Sequence, residues 1–178
     1  MINQNNISTD DIFPAKYLNR TEIDNYGKFV FANNVELNKL FKNSNEGNNF
    51  ILVSGDFFGC GSSREHAVWA LQDIGIKVII APSFHPIFHR NMLNNKLIPI
   101  IINSEKINRV INTKNNGISP KSIELDLDKN IIENKFFNSK IEFKNNDLRY
   151  LKVVSVFDSK EYQLKNLKNI EKHIAPVE

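Results

Sequence analysis

Apolar positions change period along this chain, and the changes predict its architecture. Phe50-Ile51-Leu52-Val53-Ser54 is a short apolar run closed by Gly55, and its length and composition predict a buried strand. Ala67, Ala70, Leu71 and Ile74 then follow at helical spacing, and Gly75 stands where a helix places its C′ glycine. Lys77-Val78-Ile79-Ile80-Ala81 predicts a second buried strand, stopped by Pro82. Strand, helix and strand within about 30 residues form a βαβ unit, whose crossover is right-handed on general grounds. Residues 83–95 predict another helix and Leu97 to Ile102 a third strand. From Ile123 to Phe143, IELDLDKNIIENKFFNSKIEF alternates every second residue and predicts antiparallel strands. From Leu148 the apolar spacing is mixed and is read as helical. Asn43 to Asn49, NSNEGNN, reads as a polar loop inside one fold rather than a linker, and no internal repeat is visible. The expectation is one α/β domain over residues 1–178.

Composition narrows the class. At 178 residues the chain is near the prior of about 150 residues per domain. With 41% hydrophobic and 24% charged residues it can bury a core. One Cys and 7 Gly exclude disulfide-stapled and collagen-like folds. The 27 Asn, 23 Ile and 18 Lys against 5 Arg share A/T-rich codons, a bias read as genome drift before chemistry. The net charge of +3 is unevenly placed. The first 89 residues carry 7 basic and 9 acidic side chains, the remainder 16 and 11. The excess lysines are interleaved with Asp and Glu, as a solvated surface requires, so no nucleic-acid partner is expected. A single Cys60 rules out a disulfide within the chain and a self-contained iron–sulfur cluster. No secretory signal and no run long enough for a membrane helix is seen, so a reducing, cytoplasmic setting without membrane contact is expected.

The candidate chemistry lies in Gly55 to Ala67, GDFFGCGSSREHA, between the first predicted strand and helix. Three glycines, two serines and an arginine meet at a helix N-terminus, at the carboxyl end of a strand, where α/β folds place ligands. Backbone N–H groups, the helix dipole and Arg64 all favour an anion there, and a guanidinium can hold a carboxylate at two points. An equally direct reading makes Ser62-Ser63-Arg64-Glu65 a capping box, with Ser62 as N-cap and Glu65 at N3, and leaves Gly59 and Gly61 as turn residues. The two readings are compatible. Other motifs fail: the third glycine of G-x-G-x-x-G is replaced by Arg64, and neither a phosphate-binding G-x-x-x-x-G-K-[ST] nor a G-x-S-x-G is present. Cys60 with His66 reads as turn packing rather than a Cys–His pair. His85 and His89 carry Pro86 where H-E-x-x-H needs glutamate, so no metal site is expected.

GDFFGCGSSREHAVWAL, then KVIIAPSFHPIF and NNKLIPI, closely resemble the small-subunit family of 3-isopropylmalate dehydratase, the swivelling β/β/α domain of the aconitase superfamily. NISTDDIFPAKYL looks like that family's opening strand and specificity loop, usually close to D-T-D-x-I-I-P-x-x-F-L. The likeness runs from Ile7 to about Leu40 and from Phe50 to Ile102. The resemblance implies a hydro-lyase of leucine synthesis that interconverts 2-isopropylmalate and 3-isopropylmalate through isopropylmaleate. It implies a large-subunit partner carrying the [4Fe–4S] cluster, and a small dicarboxylate hydroxy acid as substrate. By motif position Ser62 matches the catalytic base, Ser63 and Arg64 match residues holding substrate carboxylates, and Arg20 matches a further carboxylate-binding arginine. Gly59 and Gly61 support the turn, while Glu65 and His66 orient Arg64, touch the cluster side of the cleft, or serve structure. The chain departs from the family at His85 and Pro86, and at Phe57, which replaces a common Asn. Two rivals stay open: the small subunit of a related hydro-lyase (homoaconitase or methylmalate-type), separated by residues around Tyr17 to Thr21, and a non-catalytic anion-binding module.

Overall fold

The structure, a computed structural model, describes residues 4–19, 25–42, 50–111, 123–134, 138–144 and 147. Contacts divide the chain into one compact unit, Met1–Asn145, and a second, Asn146–Glu178. The second contains the predicted C-terminal helix, which lies outside the described residues.

The first unit is organised by the predicted βαβ pattern. Strands β1 (Phe50–Val53), β2 (Ile76–Ala81) and β3 (Ile98–Ile101) form a parallel sheet in the order β1-β2-β3. Ile79 of β2 stands between Leu52 of β1 and Pro99 of β3. β2 is central and buried throughout except at Lys77, which explains its almost unbroken aliphatic sequence. Pro99 is tolerated because β3 lies at the sheet edge. Helix α3 (Glu65–Asp73) joins β1 to β2, and α4 (Pro86–Asn94) joins β2 to β3. The apolar stripe of α3, Ala67, Val68, Ala70 and Leu71, is fully buried. Gly75, with φ 85° and its N–H on the Gln72 carbonyl at 2.8 Å, ends the helix as its sequence position predicts. Helix α4 ends in the same way on Lys96 at φ 60°: its N–H bonds to Leu93 and that of Leu97 to Met92.

The alternating stretch forms a separate antiparallel meander, β4 (Ile123–Asp126), β5 (Ile131–Asn134) and β6 (Ser139–Glu142). Ile132, Ile141 and Phe143 face inward while Lys140 and Glu142 face solvent, the period-two division expected of a half-buried sheet. Helix α5 (Ser104–Ile111) packs against β5 and β6.

Five helical segments among the described residues were not evident in the pattern: α1 (Thr9–Ile12), 3₁₀ turns at Ala15–Tyr17 and Tyr26–Phe29, α2 (Val35–Lys42), and α5. Asp73 at the end of α3 accepts the Tyr26 and Gly27 N–H groups at 2.7 and 3.2 Å, which ties the second 3₁₀ turn to that helix. Phe13 and Phe31, both wholly buried, carry the N-terminal segments onto the core beside Leu71 and Ile76.

Candidate functional site

The loop from Gly55 to Arg64 leaves the carboxyl end of β1 and delivers the chain to the start of α3. Two glycines shape it. Gly59 has φ 78°, and a Cβ there would run into the ring of Phe88. Gly61 has φ 89° with room for a methyl group, its nearest neighbours being Ser8 and Thr9 at 3.6 Å. Phe57 adopts φ 53°, a left-handed conformation that Asn reaches far more readily than a bulky side chain. Its ring is 41% exposed and meets His85 edge-on at 5.6 Å.

The N-terminal segment holds this loop along its length. Asp56 donates its N–H to Asn5 Oδ1 at 2.8 Å, and its carbonyl accepts the N–H of Asn6 at 2.8 Å. The Gly59 N–H bonds to the Ile7 carbonyl at 2.8 Å, and the Thr9 N–H to the Cys60 carbonyl at 2.8 Å. The Thr9 hydroxyl donates to the Ser62 carbonyl at 2.9 Å. Thr9 is itself buried, so its contact fixes the backbone at Ser62 from below. The turn that presents Thr9 carries a capping box of its own: Ser8 Oγ accepts the Asp11 N–H at 3.0 Å, and Asp11 Oδ2 accepts the Ser8 N–H at 2.8 Å.

The capping box expected at Ser62 and Glu65 does not form. The N-cap of α3 is Arg64, at φ −126° and ψ 113°, and no side chain caps the helix. Glu65 is the first helical residue, not the third, so its carboxylate cannot fold back over the helix start; it accepts Asn95 Nδ2 at 3.2 Å instead. Ser62 and Ser63 are exposed, and neither hydroxyl bonds to another group among the described residues. Two unused hydroxyls therefore stand before a helix N-terminus whose first N–H groups no side chain covers.

Arg64 reaches back across the loop to the N-terminal turn. Its Nη1 donates to Asp10 Oδ1 at 2.6 Å, and the same oxygen accepts the Ala15 N–H at 2.8 Å. These contacts, the guanidinium foremost, hold the Asp10 carboxyl below its usual range. Sequence reasoning missed Asp10. The signal was the acidic pair Asp10-Asp11 in the first motif, which gave no hint of which loop it would meet. Nor do Glu65 and His66 orient Arg64. His66 packs parallel to Phe13 at 6.0 Å and against Trp69 at 4.9 Å, and so belongs to an aromatic cluster under the site.

Cys60 is half-buried and donates its thiol to the Asn6 carbonyl at 3.2 Å, and desolvation raises its pKa. No group of three His, Cys, Asp or Glu suited to a metal occurs among the described residues. His85 precedes α4 as its N-cap, while His89 lies against Phe84 at 5.9 Å. Arg20 and Thr21 lie outside the described residues; Tyr17 of the same loop stacks on Phe29 at 4.3 Å. No helix among the described residues is long and apolar enough to cross a membrane.

The aconitase C-terminal domain family matches residues 5–105, which include the N-terminal segment, the loop from Gly55 to Arg64 and helix α3. The chain is 40% identical over 181 residues to the 3-isopropylmalate dehydratase small subunit of Buchnera aphidicola subsp. Pemphigus spyrothecae, covering 97% of this chain and 88% of that one. It is 50% identical over 103 residues to the same subunit of Francisella philomiragia, covering 57% of this chain and 54% of that one. A crystal structure of 3-isopropylmalate dehydratase from Methanocaldococcus jannaschii superposes with a TM-score of 0.65 at 33% identity, over 96% of this chain and 93% of that one. The swivelling α/β fold, the glycine–serine–arginine loop and identity along nearly the full length agree: this chain belongs to the aconitase C-terminal domain family, among the small subunits of 3-isopropylmalate dehydratase.

Proposed function

We propose that the chain works as the small subunit of a hydro-lyase that interconverts 2-isopropylmalate and 3-isopropylmalate through isopropylmaleate, within leucine synthesis. The observation that carries this reading is the pair of unpartnered hydroxyls, Ser62 and Ser63, set before the uncapped start of α3 and next to Arg64. Full-length kinship with 3-isopropylmalate dehydratase small subunits supports the choice of reaction.

Elimination of water from a malate-type substrate needs a proton removed from carbon beside a carboxylate. Such carbon is weakly acidic, so positive groups must await the charge that develops on the carboxylate. Arg64 and the first N–H groups of α3 supply them, and Ser63 adds a hydroxyl donor. Ser62 is assigned as the base, its alkoxide favoured by the same positive field. Thr9 keeps the Ser62 backbone in place while the proton moves. The resemblance alone assigns Arg20 to a second carboxylate.

The family's [4Fe–4S] cluster does not fit this chain: its only thiol is Cys60, half-buried against the Asn6 carbonyl. The cluster is therefore assigned to a large-subunit partner, and the chemistry it would supply there is that of a Lewis acid. The test is anaerobic co-expression with a candidate large subunit, following isopropylmaleate by ultraviolet absorbance. Ser62→Ala should cut turnover by about a hundredfold or more while the subunits still associate. Wild-type rates in that complex would refute the assignment of the base.

A further inference from the structure

We propose that Asp10 is the positioning residue for Arg64, holding one edge of the guanidinium so that the other edge meets the substrate carboxylate; this rests on the assignment of Arg64 to that carboxylate. The geometry is that of a tether. Asp10 touches Arg64 at a single point, Nη1 on Oδ1 at 2.6 Å, rather than in a two-point fork. The same oxygen is pinned by the Ala15 N–H at 2.8 Å, so the carboxylate is fixed by the backbone and does not follow the arginine. Arg64 offers five N–H donors and, among the described residues, commits only this one to a side chain. A planar edge therefore remains for two-point contact with an anion.

Exposure supports the division of labour. The Arg64 side chain is 19% exposed and that of Asp10 54%, so the arginine lies under the rim and its partner stands toward solvent. An untethered surface arginine surrenders its rotamer freedom each time it grips a ligand; here Asp10 has already restricted it. The negative charge of Asp10 also repels an incoming carboxylate, but solvent screens so exposed a charge, while the loss of geometry is not screened. Positioning therefore outweighs repulsion, and removing the charge weakens substrate binding. The neighbouring Ser8–Asp11 box stiffens the same turn without touching Arg64, which provides a control for stiffness alone.

The experiment compares Asp10→Asn, Arg64→Gln, the double variant and Ser8→Ala, each in the assembled two-subunit enzyme, with KM, kcat and melting temperature measured for all. Asparagine keeps an oxygen for the Ala15 N–H but replaces the charge-assisted bond that tethers Arg64 with a weaker neutral one. Asp10→Asn should raise KM about tenfold with kcat within about twofold. It should add nothing in the Arg64→Gln background, and Ser8→Ala should leave KM at the wild-type value. An unchanged or lowered KM in Asp10→Asn overturns the proposal. So does an Asp10 effect that persists without Arg64, or a Ser8→Ala variant that reproduces it. If Arg64→Gln itself leaves KM unchanged, the assignment of Arg64 falls; an Asp10 effect on KM would then persist in that background and overturn the positioning role as a separate result.

Discussion

Replacing Gly59 with alanine tests whether this glycine serves backbone conformation alone or close packing as well. Its φ of 78° places an L-residue in the left-handed region, at about 1–2 kcal/mol. The added Cβ also enters the ring of Phe88, a side chain only 1% exposed that cannot swing into solvent. Forcing an extra methyl into a packed core costs about 1–3 kcal/mol. The sum is roughly 2–5 kcal/mol. At about 2–4 °C per kcal/mol for a chain of this size, the melting temperature should fall by about 4–20 °C. Gly61→Ala is the internal reference. Gly61 shares the backbone conformation, at φ 89°, but has ordinary contact distances of 3.6 Å around the new methyl, so only the conformational part applies. Thermal unfolding followed by circular dichroism measures both variants. A Gly59→Ala variant no less stable than Gly61→Ala would refute the packing argument.

Three further outcomes follow from the same geometry. Phe57→Asn should raise stability by about 0.5–1 kcal/mol, seen as a higher melting temperature, because relief of the left-handed strain exceeds the loss of one exposed ring contact with His85. Asp10 has a lowered pKa in the folded chain, so its contribution is complete above its unfolded value near 4 and disappears as pH falls through the folded value. Acid titration of unfolding should accordingly show a shallower loss of stability for Asp10→Asn than for wild type below about pH 4. Burial raises the pKa of Cys60, so iodoacetamide should modify it more slowly at pH 7 than a free cysteine, as mass spectrometry of timed samples would show.

The βαβ core was legible because its signals are local. The aliphatic runs of β1, β2 and β3, the helical spacing of Ala67 to Ile74 and the stop at Gly75 each depend on residues within a turn or two. The meander was legible for the same reason, its Ile132 and Ile141 alternating with charged neighbours. Helices α1 and α2 were missed because four and eight residues give too little periodicity to stand out from a polar, Asn-rich segment. At the site, the loop and its serine–arginine motif stood out by composition, yet local propensity misplaced the helix start by two residues. Ser62 has every qualification for an N-cap, but the Thr9 hydroxyl holds its carbonyl and the backbone turns helical only after Arg64.

By itself, then, the sequence determined the order and type of the central elements, the loop in which chemistry is concentrated, and the family to which that loop belongs. All of these are patterns in residues close along the chain. The tertiary structure decided what each residue in the loop is used for. Gly59 makes room for Phe88, Glu65 turns to Asn95, and Arg64 pairs with Asp10, 54 positions away. No spacing rule anticipates that ion pair, because it exists only where the path of the folded chain lays residues 5–13 along the loop at 55–64. Two serine hydroxyls are left uncommitted by the same path, since the contacts that hold their loop are made by its backbone and by the side chains of Asp56, Cys60 and Arg64.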